Sequence, residues 1–167
     1  PALLVWAVVA VSLGIAAAWC SFVALFAYVF FMPFYLQGVL SLSALEAGLL
    51  LSLYPIVTAL LAPFFGALSD RIGYKPLTLG GLALTALGLA LISTLNENSS
   101  LVEIGTLVAL LGVGGAAFQS PNNSSVMGAA PRDRLGVAGS LNSFFRNLGM
   151  VSGATLAVAL FSFKTKT

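Results

Sequence analysis

The chain has 167 residues, of which 59% are hydrophobic and 7% are charged, and its formal net charge at pH 7 is +2. A water-soluble domain needs roughly a quarter of its residues charged to cover its surface, so this composition excludes a soluble globular protein. The small net charge, carried by basic residues that lie at loops instead of forming a stripe, also gives no reason to expect a nucleic-acid partner.

Six apolar stretches predict an all-α membrane protein with six transmembrane helices. Each stretch approaches or exceeds the ~20 residues that cross a bilayer as a helix. The stretches cover residues 2–19, 22–40, 44–68, 77–95, 101–118 and 135–163. The connections between them are too short for a soluble domain, so the chain is predicted to form one unit within the lipid bilayer.

The connection between the first two stretches is unusual. Residues 1–40 contain no charged residue and no cluster of turn residues, although this length is twice that of one span. Trp19, Cys20 and Ser21 offer the only candidate break, and two helices cannot reverse there without leaving backbone groups unpaired in hydrocarbon. We therefore predict that residues are missing at this point. The alternative is one very long helix, tilted or lying on the membrane surface.

Two later helices have predicted N-terminal caps. Ser43 and Glu46, and likewise Ser100 and Glu103, have the Ser-x-x-Glu spacing of a capping box, in which the two side chains satisfy free amides at a helix start. Both glutamates are therefore expected to be structural and not to carry protons. Residues 96–100 are predicted to form a polar turn.

The basic residues predict the orientation in the membrane. Two loops that face the same side, if every span crosses, contain Arg71, Lys75, Arg132 and Arg134. The positive-inside rule places these loops, residues 69–76 and 128–134, on the cytoplasmic side of the cell membrane. The turns at residues 41–43 and 96–100 have no Lys or Arg and are predicted to face the opposite side.

Residues 66–76, GALSDRIGYKP, resemble the signature loop of the major facilitator superfamily. In that family the loop joins the second and third helices of each half and has the pattern Gly-x-Leu-(Ala/Ser)-Asp-Arg-x-Gly-(Arg/Tyr)-(Lys/Arg). The matching residues are Gly66, Leu68, Ser69, Asp70, Arg71, Gly73 and Lys75. The resemblance implies that this loop braces the opposite half of the transporter when the cytoplasmic side is closed, so that Asp70 and Arg71 govern gating.

These residue types also have physical roles that do not depend on the resemblance. Gly66 allows a neighbouring helix to approach, and Gly73 supplies a turn conformation that is costly for other residues. Asp70 can accept hydrogen bonds from a helix N-terminus or from an arginine. A solvated turn would explain the charges but not the glycines or Asp70. We predict a gating motif that consists of Gly66, Asp70, Arg71, Gly73 and Lys75.

Two further segments resemble the C-terminal half of the fourteen-helix drug:proton antiporters of this superfamily. Residues 30–50, FFMPFYLQGVLSLSALEAGLL, are similar to the region of the first and second helices, and residues 130–149, APRDRLGVAGSLNSFFRNLG, to that of the fourth and fifth. The resemblance implies a partial transporter bundle. Residues 21–167 would hold five helices of one half, and residues 1–20 a leading helix of the kind inserted between the halves.

The fifth predicted span has a stripe of small and amide side chains. Its members share one helix face by their spacing: Gly112, Gly115, Gln119, Asn122 and Asn123. Amides in hydrocarbon are costly unless they face protein or water. A water-lined cavity and hydrogen bonds between helices explain the stripe equally well.

The sixth predicted span repeats this pattern. Its face consists of Gly139, Asn142, Ser143, Arg146, Gly149 and Gly153. The last two glycines permit close contact with a neighbouring helix. Arg146 lies about 16 Å along the helix from Leu135, near the bilayer middle, where a charge costs ~2.5 to 3.5 kcal/mol. It therefore needs either a carboxylate on a missing part of the protein or water in a central cavity through which substrate passes.

Aromatic residues crowd the second predicted span. One helix face has Phe26, Phe30, Phe34 and Gln37, and another has Tyr28, Phe31 and Tyr35. Either face could bind flat, apolar and often cationic compounds by stacking and cation–π contact, or could face lipid or the core. The predicted substrate pathway consists of Phe30, Phe34, Gln37, Tyr54, Gln119, Asn122, Asn123, Asn142 and Arg146.

Together these features predict part of a secondary active transporter. The resemblance implies proton-coupled efflux of small amphipathic drugs by alternating access, in which one helix bundle rocks against another. The expected partners are a small amphipathic substrate, protons, the lipid bilayer and the remaining helices of the transporter. The alternative is a non-transporting membrane subunit that docks and stabilises partner helices. The length of the native chain discriminates the two, because only a transporter needs several further spans.

An enzyme is not expected. The chain has one cysteine, Cys20, and no histidine, so an internal disulfide framework is excluded and the commonest metal ligand and general base is missing. Neither a nucleophile–base pair nor a set of metal ligands is apparent. We therefore predict no catalytic residues, no metal and no cofactor.

Overall fold

A computed structural model describes the backbone of residues 2–131 and 134–164, with the side chains in these ranges except at residues 2–11, 13, 129, 160, 163 and 164. The regular structure of these residues is entirely helical, which confirms the all-α prediction. The helices are α1 (Ala2–Phe34), α2 (Ala44–Ile72), α3 (Tyr74–Ile92), α4 (Leu101–Ala129) and α5 (Leu135–Lys164). A π-helical turn, Tyr35–Val39, extends α1.

The described residues form five α-helices where the sequence predicted six, and the difference lies in α1. This helix runs through Trp19, Cys20 and Ser21 without interruption. A continuous helix pairs its own backbone groups, which a chain reversal in an apolar setting would not, and these three residues include no glycine or proline to stop it. One long helix of 33 residues, about 50 Å in length, is therefore found. Missing residues at this point stay a prediction.

Four stretches of the described residues are long and apolar enough to cross a membrane. They are Gly14–Val39, Ala44–Ile72, Tyr74–Ile92 and Leu101–Gly128. The 30-residue helix α5 contains Asn142, Arg146 and Asn147 and is not one of these four. The predicted count of six transmembrane helices is therefore not confirmed.

The start of α2 has the predicted capping box, and the start of α4 has its serine contact. The Ser43 hydroxyl accepts a hydrogen bond from the backbone N–H of Glu46, whose carboxylate accepts one from the backbone N–H of Ser43 at 2.9 Å, which completes a capping box. At α4 the Ser100 hydroxyl accepts from the backbone N–H of Glu103 at 3.1 Å. The preceding turn, residues 96–100, is closed by hydrogen bonds within it. These polar contacts fix where two apolar helices begin.

The chain divides into two compact units. The first consists of residues 1–32 with residues 123–167, and the second consists of residues 33–122. The helices α1 and α4 contribute to both units, whereas α2 and α3 belong to the second and α5 belongs to the first.

Helix α4 forms the core of the second unit. Its buried side chains include Ile104, Val108, Leu111, Ala116 and Phe118. Glycines bring the neighbouring helices close to it. A Cβ atom added at Gly114 would lie 2.6 Å from the Thr85 hydroxyl of α3, and one added at Gly112 would lie 2.8 Å from the Cβ of Val57 in α2. Side chains larger than hydrogen do not fit at such contacts, so α4 packs tightly on α2 with one face and on α3 with another.

In the first unit, α5 packs closely against α1. A Cβ atom added at Gly149 would lie 2.7 Å from the backbone oxygen of Trp19, and Gly153 lies directly against the backbone of Val23. This spacing of four residues places both glycines on one face of α5. The predicted close helix contact at Gly149 and Gly153 is confirmed.

We expect Gly149→Ala in the full-length protein to lower the free energy of unfolding by about 1–3 kcal/mol, because the added methyl group overpacks the contact with α1. Gly136→Ala is the matched control on the same helix, since no atom lies within 4 Å of its added carbon. The measurement is the apparent unfolding temperature of the purified variants in detergent. Equal temperatures for the two variants would contradict the tight contact.

Candidate functional site

The predicted gating motif lies where α2 ends and α3 begins. A single residue, Gly73, joins the two helices, with φ 85° and ψ 158°, a conformation essentially restricted to glycine. Its predicted turn role is confirmed. The predicted loop over residues 69–76 is wrong in extent, because both helices continue to Gly73. Charged side chains do not end a helix, whereas a glycine at positive φ does.

The α2 side of the motif packs on α4. A Cβ atom added at Gly66 would lie 3.0 Å from the hydroxyl oxygen of Ser120, so the predicted approach of a neighbouring helix at Gly66 is confirmed. The hydroxyl of Ser69, one turn later, is buried and donates to the backbone carbonyl of Gly66 at 2.7 Å. The approach at Gly66 therefore packs this part of α2 on α4, and the Ser69 hydroxyl is satisfied within α2.

The charged residues of the motif have a different environment. Asp70, Arg71 and Lys75 all have exposed side chains. Charges at such positions are available to water or to protein outside this chain, and their role in gating stays a prediction. In the second predicted cytoplasmic loop, Arg132 lies outside the described residues and Arg134 precedes α5 directly.

Two residues of the predicted substrate pathway meet between α2 and α4. The amide nitrogen of Gln119 donates a hydrogen bond to the Tyr54 hydroxyl at 3.1 Å, in a partly buried position. Gly115 makes room for the phenol, because a Cβ atom there would lie 2.8 Å from the Tyr54 hydroxyl. One turn along α2, the Thr58 hydroxyl donates to the Gly112 carbonyl at 3.1 Å. This part of the polar stripe therefore makes hydrogen bonds between helices.

The next turn of α4 contains two amides in unlike surroundings. Asn122 is 4% exposed, whereas Asn123 is exposed and accepts a hydrogen bond from the Asn142 amide nitrogen of α5 at 2.6 Å. The carbonyl oxygen of Asn142 is buried without a hydrogen-bond partner among the described residues. Helix α4 continues through this polar segment, including a buried Pro121, to Ala129. The helix thus runs beyond the apolar stretch that ends at residue 118 and includes the polar stripe predicted for this span.

Arg146 lies one turn after Asn142 on α5 and is partly buried. Its guanidinium carbon is 5.9 Å from the ring centre of Phe22 in α1, within the range of a cation–π contact. The Nε atom is buried and has no hydrogen-bond partner in the described part of the chain. The sequence did not identify Phe22, because no pattern states which helix α5 contacts; only the glycines of α5 indicated that one comes close.

The aromatic residues of α1 differ in burial. A buried line along the helix consists of Phe22, Leu25, Tyr28, Met32 and Leu36. The predicted pathway residues lie off this line. Phe30 is partly buried, Phe34 is 60% exposed, and Gln37 is exposed within the π-helical turn. Their place in a substrate pathway stays a prediction.

The π-helical turn is tied to the connection between α3 and α4. The Tyr35 hydroxyl donates a hydrogen bond to the backbone carbonyl of Asn96 at 2.7 Å. This contact holds the end of α1 beside the turn at residues 96–100. Asn96 begins one of the turns predicted to face away from the cytoplasm, and Tyr35 lies six residues before the other, at residues 41–43.

The structure thus brings predicted pathway residues together in two places, each within one unit. Tyr54 meets Gln119 in the second unit, and Asn123 meets Asn142 in the first, one turn from Arg146. Within the described residues, no group of three His, Cys, Asp or Glu side chains is placed to hold a metal ion. The arrangement offers neutral hydrogen-bonding groups, aromatic rings and one cation. Such groups suit the binding and passage of a small molecule more than catalysis.

The sequence model of the Major Facilitator Superfamily matches residues 2–164. The chain therefore belongs to the major facilitator superfamily. Together with the four apolar helices of membrane-spanning length in the described part of the chain, this membership makes it an integral membrane protein of a transporter family and not an enzyme.

Several relatives have transporter names. The chain is 38% identical over 149 residues to the uncharacterized transporter YebQ of Escherichia coli (strain K12) and 32% identical over 133 residues to the riboflavin transporter RibZ of Clostridioides difficile (strain 630). It is 28% identical over 148 residues to the methyl viologen resistance protein SmvA of Salmonella typhimurium (strain LT2). No solved structure gives a significant match.

These alignments cover most of this chain but a smaller part of each relative. They span 89%, 80% and 89% of the chain, and 33%, 29% and 29% of YebQ, RibZ and SmvA, respectively. The chain thus spans about a third of the length of the relatives it matches, and the relatives contain further chain beyond the aligned part.

Replacing Gly73 tests the junction of α2 and α3. We expect Gly73→Ala to destabilise the full-length protein by about 1–3 kcal/mol, because alanine is strained at this positive φ. Gly80→Ala on α3, where the added carbon meets no atom within 4 Å, is the control and should leave stability unchanged. Thermal unfolding in detergent is the measurement. A Gly73→Ala variant as stable as the control would show that the junction tolerates another conformation.

A double-mutant cycle tests the contact between α2 and α4. Tyr54→Phe and Gln119→Leu each remove one partner of the hydrogen bond, and we expect a coupling energy of about 0.6–2 kcal/mol. The four proteins are compared by their free energy of unfolding in detergent. Additive effects of the two substitutions would mean that the bond contributes nothing to stability.

Proposed function

We propose that this chain is part of a secondary active transporter that exports small amphipathic compounds in exchange for protons by alternating access. The observation that carries the proposal is the gating motif in its helical setting. Gly73 joins α2 to α3 in a conformation that needs glycine, and Asp70, Arg71 and Lys75 are exposed around it. A pure scaffold has no need of such a junction, whereas a transporter half that must brace and release its partner half does.

The relatives support the class of substrate. One is named for riboflavin transport and another for methyl viologen resistance, and the multidrug transporter MdtP of Bacillus subtilis (strain 168) is 28% identical over 138 residues. Two of these names refer to flat aromatic compounds. Aromatic and amide side chains recognise such compounds by stacking and hydrogen bonding, and the helices of this chain present both kinds at Phe30, Phe34 and the Tyr54–Gln119 pair.

The proposed orientation places both basic connections on the cytoplasmic side of the cytoplasmic membrane. Arg71 and Lys75 flank the junction of α2 and α3, and Arg134 directly precedes α5. The turns at residues 41–43 and 96–100 contain no Lys or Arg, and the hydrogen bond from Tyr35 to Asn96 brings the end of α1, which leads into the first turn, beside the second. The positive-inside rule then assigns those two turns to the outside.

Transport in vesicles tests the function. The full-length protein is reconstituted, a pH gradient with an acidic interior is imposed, and uptake of tetraphenylphosphonium is followed. This cation has no titratable proton, so it cannot accumulate by simple partition of a base. We expect uptake that requires the protein and is abolished by nigericin with equal K⁺ on both sides, because this treatment collapses the pH gradient without creating a membrane potential. Equal uptake with and without the pH gradient would refute proton coupling. If none of a series of amphipathic cations were taken up, export of this class of compound would be refuted.

Neutralising Asp70 tests the gating role of the motif. Asp70→Asn keeps the size of the side chain but removes its charge, so we expect transport turnover to fall at least tenfold while the equilibrium affinity for substrate changes by less than threefold. Turnover is measured in vesicles and affinity by dye binding in detergent. A collapse of affinity at normal turnover would show that Asp70 acts in binding and not in gating.

A further inference from the structure

Arg146 and Asn142 of α5 each have a buried hydrogen-bonding atom without a partner among the described residues. The Nε atom of Arg146 is a donor, the carbonyl oxygen of Asn142 is an acceptor, and both are buried without a hydrogen-bond partner among the described residues. Buried polar groups in native proteins nearly always have a partner, so an orphaned donor and acceptor call for an explanation. Their spacing of four residues makes them neighbours on one helix face. Together they offer a donor and an acceptor within one helical turn.

Both side chains are held by neighbours within the first unit. The Asn142 amide nitrogen is already engaged, because it donates to Asn123 at 2.6 Å, and this contact orients the amide so that its carbonyl oxygen is the remaining group. The guanidinium of Arg146 lies against the ring of Phe22, with 5.9 Å between its carbon and the ring centre. A cation–π contact does not replace a hydrogen bond, so the buried Nε donor of Arg146 still lacks an acceptor among the described residues.

The positive charge of Arg146 limits the kinds of chemical group that can bind between Arg146 and Asn142. The described acids lie at helix starts, ends and turns: Glu46, Asp70, Glu97 and Glu103. Arg146 lies far from an end of α5, eleven residues after Leu135. A positively charged occupant would be repelled, and an apolar one would leave both buried atoms unpaired. A carboxyl group fits, since its ionised form accepts from the guanidinium and its protonated form can also donate to the Asn142 oxygen.

We propose that Arg146 and Asn142, with Phe22 against the guanidinium, form a binding site for a carboxyl group. The carboxyl has two possible sources. It belongs either to the transported compound or to an Asp or Glu side chain of the transporter outside this chain. The first source rests on the proposed function, whereas the second requires only that the full-length protein folds.

Dye binding to the purified full-length protein tests the first source. Rhodamine 110 has a free carboxyl group, and rhodamine 123 is its methyl ester, so the pair differs at the group in question. If the substrate supplies the carboxyl, Arg146→Gln and Asn142→Leu should each weaken rhodamine 110 binding at least tenfold and change rhodamine 123 binding by less than threefold. Asn147→Leu, at an exposed position of the same helix, is the control and should change neither. Fluorescence anisotropy in detergent is the measurement.

Thermal unfolding of the same proteins tests the second source. If the protein itself supplies the carboxyl, Arg146→Gln should lower the apparent unfolding temperature, because it leaves a buried acid without its cation. A second substitution, Asp→Asn or Glu→Gln at one membrane position outside this chain, should then restore the temperature. The effects of both substitutions on the unfolding temperature should be the same with and without added dye.

The proposal is overturned if Arg146→Gln affects the two dyes equally and no acid replacement restores the unfolding temperature. It is also overturned if Arg146→Gln changes neither dye binding nor unfolding relative to Asn147→Leu. Dye binding and thermal unfolding do not require transport, so they test this site even if no gradient-driven uptake is found. A failure of the proposed function would be seen separately in the vesicle experiment.

Discussion

A polar group in hydrocarbon has no water to bind, so the helices of a membrane protein have to satisfy their polar atoms internally. The helices here do so at two scales. Hydroxyls turn back onto their own helix, as Thr85 does by donating to the carbonyl of Gly81. Longer side chains pair across helices, as Gln119 does with Tyr54 and Asn142 with Asn123. Among the described residues, the buried Nε of Arg146 and the buried carbonyl oxygen of Asn142 are exceptions, and the proposed carboxyl group would pair with them.

The same constraint explains why glycine is concentrated at helix contacts. Without a hydrophobic driving force between helices in lipid, association depends on close packing, and close packing needs small residues at the contact. Gly112 and Gly114 let α2 and α3 approach opposite sides of α4, and Gly149 lets α5 approach α1. The polar contacts then form because the backbones are near enough for side chains to meet. Binding groups and packing groups are therefore interleaved along the same helices.

Features governed by local chemistry could be predicted from the sequence. The capping box at Ser43, the turn at residues 96–100 and the positive φ of Gly73 each follow from a few neighbouring residues. The family itself was predicted from the motif at residues 66–76. The tight contact at Gly149 was predicted as well, since the spacing of small residues indicates that some helix approaches.

Helix ends and the contacts between helices could not be predicted in the same way, because composition does not determine them. The continuous helix through Trp19 is only the alternative prediction of the sequence, because hydrophobicity shows that a segment can lie in lipid but not whether it is one helix or two. The sequence likewise predicts that α2 ends before Ser69, because clustered charges are typical of loops, whereas the helix continues to Ile72. The contact of Phe22 with Arg146 needs knowledge of which helices are neighbours. Long-range pairing of this kind has no signature in a single sequence.

Surface connections usually tolerate insertions and deletions, but the junction of α2 and α3 consists of one residue and has no flexible loop to accommodate them. One added or deleted residue at Gly73 would change the orientation of α3 about its axis by about 100° and shift it by about 1.5 Å. Thr85 and Gly88 of α3 would then face away from α4. Variation in length should therefore be rarer at this junction than at the turn around Asn96, although both lie at the ends of apolar helices.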